Sequence, residues 1–387
     1  MLDEMNERIS RVRAVASQRG FAGLLVIGRA ADRAGDLLYL CGHMPMLAGH
    51  VSRYAIRGRG LGGLYVPADR RIAPTLAVTT PFYMQSPNVK DVVVNPNFAA
   101  GVTAILEKHG ARNNTVGLVG MDVVPAAVFD QIARQNVTVR FVEADDVVMN
   151  MRAVKSAREL ISLRKGSQMA DEVAELVKER IKPGVTEQEL ASFVISEMGK
   201  RGATTPFATC QSGVARSGEP FLFPPVTQRK LEDGDLLHME INGRCDGYMI
   251  DICRSTVVGK ASKGGVDLLE TVLAMLEQSI AAIKPGIMAE ELEAIAEDVA
   301  SKAGFANKFA FGYGGAGTYL GHGIGLGVDE PPAICRGEKT LLQAGMVLTI
   351  EPGLYRTSVG GARIEDEVLV TDTGAEVITK CSRTWWK

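Results

Sequence analysis

The chain repeats itself in its second half, and that duplication limits its architecture more than any other feature. Ile181-Lys182-Pro183-Gly184 is followed by Glu189-Leu190, and Ile283-Lys284-Pro285-Gly286 is followed at the same interval by Glu291-Leu292. Amphipathic helix patterns flank each copy. Further on, Gly234-Asp235-Leu236-Leu237-His238-Met239-Glu240 resembles Gly345-Met346-Val347-Leu348-Thr349-Ile350-Glu351. Each sets a carboxylate at the end of a β-type run. Two copies of helix, helix and hairpin are too few for a solenoid. They predict two halves packed face to face about a pseudo-twofold axis, with any site on that axis.

With 387 residues the chain has room for two domains. Residues 1–150 alternate helical and strand-like signals. Ile9, Val12, Val15 and Ala16 form a helical stripe, residues 21–28 read as a buried strand, and residues 98–109 and 124–135 have helical period. This predicts a smaller α/β domain. No G-x-G-x-x-G opens a helix after the first strand, so a dinucleotide site is not supported. Residues 36–62 hold Cys41, His43, Met44, Met46, His50, Arg53, Arg57 and Arg59 among glycines, and read as a loop or strand edge rather than a metal site. Near residue 150 the character changes. Residues 151–181 predict one long amphipathic helix stopped by Pro183-Gly184, which places the second domain at 151–387.

Lys and Arg total 43 against 45 Asp and Glu, a net charge of −2, which excludes a strongly basic nucleic-acid binder. No apolar run reaches the ~18 residues of a membrane span. The charged N-terminus lacks a signal-peptide core. Six scattered cysteines with no C-x-x-C fit reduced thiols and a cytoplasmic protein.

Each repeated acid is followed by a second one. Glu240 precedes Asp251 across an interval containing Asn242-Gly243 and Asp246-Gly247, and Glu351 precedes Glu365 across Gly360-Gly361. Both intervals carry turn chemistry. A tight hairpin centred on Cys245-Asp246 would set Glu240 directly opposite Asp251. Four acids converging on one axis repel or protonate unless cations lie among them. Glu240, Glu351 and Glu365 sit in apolar frames, which a solvated face would not have. His322, between glycines, is the fifth member. One imidazole and four carboxylates suit two divalent ions such as Mn²⁺, Fe²⁺, Co²⁺ or Zn²⁺. Such a pair acidifies a shared water and polarises a carbonyl.

The segments GDLLHMEINGRCDGYMIDICRST (234–256), GHGIGLGVDEPP (321–332), AGMVLTIEPGLY (344–355) and ARIEDEVLVT (362–371) resemble the pita-bread metalloenzymes. That family includes aminopeptidase P, prolidase, methionine aminopeptidase, creatinase and a dimethylsulfoniopropionate lyase. The resemblance implies an α+β fold, with a pita-bread catalytic domain preceded by a creatinase-type N-terminal domain. It implies metal ligation by Glu240, Asp251, His322, Glu351 and Glu365, and a homodimer. The sequence departs from the peptidase pattern in three places. Glu240 replaces the usual Asp. The Pro-His segment before the first hairpin reads Glu219-Pro220-Phe221-Leu222-Phe223-Pro224-Pro225. Asp329 stands where a further His is usual.

Three functions follow. The first is a dinuclear-metal hydrolase of a C–N bond in a small amide or dipeptide-like substrate. A metal-bridging hydroxide is the nucleophile, Glu351 the proton shuttle, and Arg363 or Arg254 the holder of a substrate carboxylate. The second is a lyase in which Asp329 abstracts a proton in a β-elimination. The third is a non-catalytic binding module.

Overall fold

A computed structural model describes residues 1–29, 33–45, 58, 60–80, 86–213, 226–305, 319–356 and 359–387. Met46, His50, Arg53, Arg57 and Arg59 of the 36–62 segment, and Phe221 and Phe223, lie outside the described residues. The chain divides into two compact units, Met1–Arg152 and Ala153–Lys387.

The first unit is a six-stranded mixed sheet with helices. Its elements are α1 (Leu2–Gln18), β1 (Gly23–Arg29), α2 (Gly35–Cys41), β2 (Leu61–Pro67), β3 (Thr75–Val78), β4 (Asp91–Val94), α3 (Phe98–Lys108), β5 (Thr115–Val119), α4 (Ala126–Gln135), β6 (Arg140–Glu143) and α5 (Asp145–Ala153), which runs one residue past the unit's end. The strand order is β4-β3-β2-β1-β5-β6. α1 buries Met5, Ile9, Val12 and Ala16, one stripe at the 3.6-residue period. α3 starts where Asn97 accepts a hydrogen bond from the Ala100 amide, and packs Phe98, Val102 and Ile105 onto Leu25 and Ile27 of β1. Gly35, Asp36, Leu37, Tyr39, Leu40 and Cys41 are the buried residues of α2, so the start of the 36–62 segment is a helix rather than a loop.

In the second unit the expected helix over 151–181 is two. α5 ends at Ala153 and α6 spans Ala157–Lys178. The interruption is Ser156, whose side chain caps the Glu159 amide while Glu159 reaches back to the Ser156 amide. A capping box starts a helix and so divides a periodic pattern that reads as continuous. α7 (Glu187–Lys200) opens on the same device at Thr186 and Glu189. Then come β7 (Thr204–Ser212), β8 (Leu236–Cys245), β9 (Tyr248–Val257), α8 (Lys263–Ala282) and α9 (Ala289–Ala300). The last strands are β10 (Tyr319–Gly323), β11 (Glu330–Cys335), β12 (Val347–Ile350), β13 (Gly353–Arg356), β14 (Gly360–Arg363), β15 (Asp366–Val370) and β16 (Ala375–Val377).

The duplicated sequence becomes two duplicated layers. β7-β8-β9 form one sheet and β11-β10-β12-β15-β16 another. Side chains alternate across a strand, so each sheet has an apolar and a polar face. On the first, Leu237, Met239, Ile241, Ile250 and Ile252 join Val173, Val177, Leu190 and Val194 of α6 and α7 in one core. On the second, Leu348, Ile350, Ile364 and Val368 join Leu268, Val272, Leu292 and Ala296 of α8 and α9 in another. The intervening positions, which carry the acids, point the other way. Burying a Leu or Ile side chain contributes roughly 1.5–3 kcal/mol. The nine apolar residues named here for the two sheet faces therefore hold the acids at fixed places against their mutual repulsion.

Candidate metal centre

The β8–β9 register pairs Glu240 with Cys253 and Asn242 with Asp251. Glu240 and Asp251 are therefore diagonal neighbours rather than directly opposed. The turn is Asp246-Gly247, one step later than the expected centre, and both residues have positive φ, 51° and 91°. That is the backbone of a two-residue hairpin turn matched to strand twist, and Asp-Gly supplies it with little strain. The offset keeps both acids on one face and spares them the closest cross-strand approach.

β12 pairs with β15 at Ile350 and Asp366, and β13 pairs with β14 at Gly353 and Arg363. Both ladders share one diagonal, so Glu351 and Glu365 face each other across the break between them. The gap is stitched to neighbouring strands. The Glu351 amide donates to the Leu320 carbonyl at 2.8 Å, and the Glu365 amide to the Cys253 carbonyl at 3.0 Å. Arg363 and Ser255 exchange two further bonds between the halves, at 2.9 and 2.7 Å.

Donor atoms of Asp251, His322 and Glu365 lie within 4.8 Å of one another, and all three residues are buried. His322 Nε2 is 3.3 Å from Glu351, 3.6 Å from Asp329 and 3.8 Å from Asp251. Its Nδ1 is 3.0 Å from the Gly323 carbonyl. A carbonyl only accepts, so Nδ1 carries a proton there and Nε2 is the ring nitrogen turned toward the acids, the one left to ligate when the ring is neutral. Asp251 is held by the Asn242 amide at 2.7 Å. Neither side-chain oxygen of Glu365 has a hydrogen-bond partner among the described residues, although the residue is 1% exposed. A buried carboxylate in that state costs several kcal/mol unless it is protonated or ligated.

The electrostatics agree. Burial, with Asp251 and Glu351 adding repulsion, raises the Glu365 carboxyl well above the ordinary range, and Arg363 only partly opposes this. Burial lifts Asp251 to about 7 against the attraction of His322. Burial alone would depress His322, but Glu351, Asp329 and Asp251 together outweigh it and raise the imidazolium to about 10. Burial raises Glu351 as well. The site gathers surplus negative charge.

Glu240 stands apart from the other acids. Arg363 Nη2 donates to its Oε1, and Arg363 Nη1 is 3.5 Å from Glu351. Arg363 is 1% exposed and lies against these two acids. Arg254 is buried as well, pairs with Asp366 at 2.8 Å and donates to the Glu365 and Cys253 carbonyls. Buried acids next to each of them absorb their charge. Glu367 escaped the sequence reading. It is buried, accepts the Asp251 amide at 2.9 Å and the Ser167 hydroxyl, and is pushed up to about 8, chiefly by burial. Its place two residues beyond Glu365 puts it on the same strand face, the one signal that would have found it.

The pattern of Metallopeptidase family M24 matches residues 162–372, and that of the Creatinase/Prolidase N-terminal domain matches residues 8–154. The chain belongs to metallopeptidase family M24. It is thus a metallo-hydrolase of the pita-bread fold, in a family whose members use divalent metal ions. It is 33% identical over 261 residues to the Xaa-Pro dipeptidase of Pyrococcus horikoshii, covering 67% of this chain and 72% of that one. It is 31% identical over 324 residues to the Xaa-Pro dipeptidase of Pyrococcus furiosus, covering 84% and 89%. The solved prolidase from P. horikoshii OT3 superposes with a TM-score of 0.83 at 26% identity, covering 98% of this chain and 99% of that one. The donor set fits the family's ions. One imidazole nitrogen and several carboxylate oxygens suit Mn²⁺, Fe²⁺, Co²⁺ or Zn²⁺, and the orphaned Glu365 oxygens are where a cation would answer unbalanced charge.

The six cysteines are free, and five are buried. Among the described residues no helix is long and apolar enough to cross a membrane. Trp385 is buried in the α6–α7 core.

Proposed function

We propose that this M24 protein hydrolyses the amide bond of a dipeptide-like substrate, of the Xaa-Pro kind that its archaeal relatives are named for, with two divalent ions. The carrying observation is the buried Asp251–His322–Glu365 cluster, with both Glu365 oxygens unpartnered among the described residues. Asp251, His322, Glu351 and Glu365 would hold the ions. Glu240 would add the carboxylate oxygen that Arg363 leaves to it. When bound, the ions acidify water and polarise the scissile carbonyl.

The chain's own residues supply the rest. Glu351 takes a proton from the attacking water and returns it to the leaving amine. Burial raises its carboxyl above the ordinary range, which favours its taking up a proton. Arg363 positions Glu351 and neutralises Glu240. The Gly323 carbonyl keeps His322 in the ligating tautomer. The homodimer implied by the resemblance belongs to the same proposal, and sedimentation tests it.

The test is hydrolysis of Xaa-Pro dipeptides after loading with Mn²⁺ or Co²⁺. The expected result is turnover that chelation removes, one solvent oxygen in the new carboxylate, and about two equivalents of bound metal. A protein that binds no metal would overturn the proposal, and so would release of an unsaturated acid without solvent oxygen.

A further inference from the structure

Three buried acids around the centre have a lysine or arginine beside them. Glu240 has Arg363, Glu330 has Lys155 at 3.3 Å, and Asp366 has Arg254 at 2.8 Å. Asp251, Glu351 and Glu365 face the space where ions belong. Asp329 fits neither group. Its side chain is 70% exposed, yet Oδ1 lies 3.6 Å from His322 Nε2. It is not a loose surface acid, because the Tyr319 hydroxyl donates to Oδ1 at 3.0 Å. The Tyr319 ring in turn stacks on His322, with centroids 6.0 Å apart. Among the described residues no lysine or arginine pairs with Asp329, and an imidazole that ligates a metal is neutral. An exposed carboxylate is therefore fixed beside the centre, with no lysine or arginine among the described residues paired to it.

We infer that Asp329 is a specificity determinant that receives a cationic group of the substrate, the α-ammonium of an N-terminal residue. This rests on the proposed dipeptide-like substrate, whose free amine precedes the scissile carbonyl by one carbon. A carboxylate beside the metal ligands is placed to meet that amine, and repels a substrate that is anionic there. A charge-assisted hydrogen bond of this kind changes affinity about ten-fold or more.

The experiment compares the metal-loaded wild type with Asp329→Asn and Asp329→Glu. The kinetic probes are Ala-Pro and N-acetyl-Ala-Pro; the calorimetric probes are glycinamide and N-acetylglycinamide. The expected result is a preference for the free amine, in kcat/KM and in binding, that falls at least ten-fold in Asp329→Asn and returns in Asp329→Glu. Equal loss on both members of a pair would overturn the inference and mark Asp329 as acting on the chemistry or the fold. A wild type holding glycinamide no tighter than its acetylated form would overturn it too. Hydrolysis of neither dipeptide, with the glycinamide preference intact and lost in Asp329→Asn, would instead remove the proposed reaction and leave this assignment supported.

Discussion

The two hairpins that carry the acids began as copies and now handle charge differently. In the β8–β9 half, Glu240 is neutralised by Arg363 and Asp251 is braced by Asn242. In the β12–β15 half, Glu365 has no hydrogen-bond partner on either oxygen among the described residues, and Glu351 is approached by His322 and Arg363 at 3.3 and 3.5 Å. Backbone placement survived duplication because it depends on the apolar faces packed against α6 and α7 and against α8 and α9. The polar faces were free to diverge. The first half takes its counter-charge from Arg363 of the second, and the second depends on what binds.

That contrast is breakable. Glu365→Gln should have the largest effect, lowering metal affinity at least about 100-fold, since even residues that merely support a ligand shift affinity by about 10–100-fold. The same substitution removes a group whose ionised form burial disfavours, so the metal-free variant should lose less stability than the wild type as pH rises. Calorimetry with and without Mn²⁺ reads both, and a metal-free variant that loses as much as the wild type would break the contrast.

Glu240→Gln should cost the protein one ion rather than both, and about 3–5 kcal/mol of stability from stranding buried Arg363. Elemental analysis and denaturant midpoints measure these. Unchanged metal content would make Glu240 only the counter-ion of Arg363.

The pH dependence of melting is next. Asp251 is raised from 3.8 to about 7, so the fold favours its protonated form. Its stabilising contribution is whole below about pH 4 and is lost as pH rises through 7. His322, raised from 6.5 to about 10, acts in the same direction, with its contribution whole below 6.5 and lost toward 10. The metal-free protein should therefore melt progressively lower from pH 5 to 9. Metal at a fixed concentration, 100 times the Kd at pH 7, should lift the melting point there by about 5–10 °C, with the gap widening as pH rises and Kd falls. A gap that narrows with pH would contradict the assignment of surplus negative charge.

Asn242→Ala should have the smallest effect, about ten-fold in metal affinity through loss of one hydrogen bond to Asp251. An equal loss from Asn242→Asp would show that the amide donor, not its volume, matters.

Much of this was legible before any coordinates. The alternation Leu237, Met239, Ile241 against His238, Glu240, Asn242 already separates a core face from a polar face, and the Gly-to-acid repeat already pairs Glu240 with Glu351. Less legible were details set by one residue. A single-step difference in the turn moved Asp251 from opposite Glu240 to opposite Asn242. Ser156 and Glu159 split one helix pattern into two.

The sequence by itself determined which residues share a face, because strand alternation and helix period are local properties of the backbone. Which acid meets which cation was decided only by the tertiary structure. Arg254 and Arg363 are alike in sequence, each beside a run of apolar residues, but folding delivers one to Asp366 and the other to Glu240. Charge pairing acts through space over a few ångströms, and the partners lie more than a hundred residues apart in the chain.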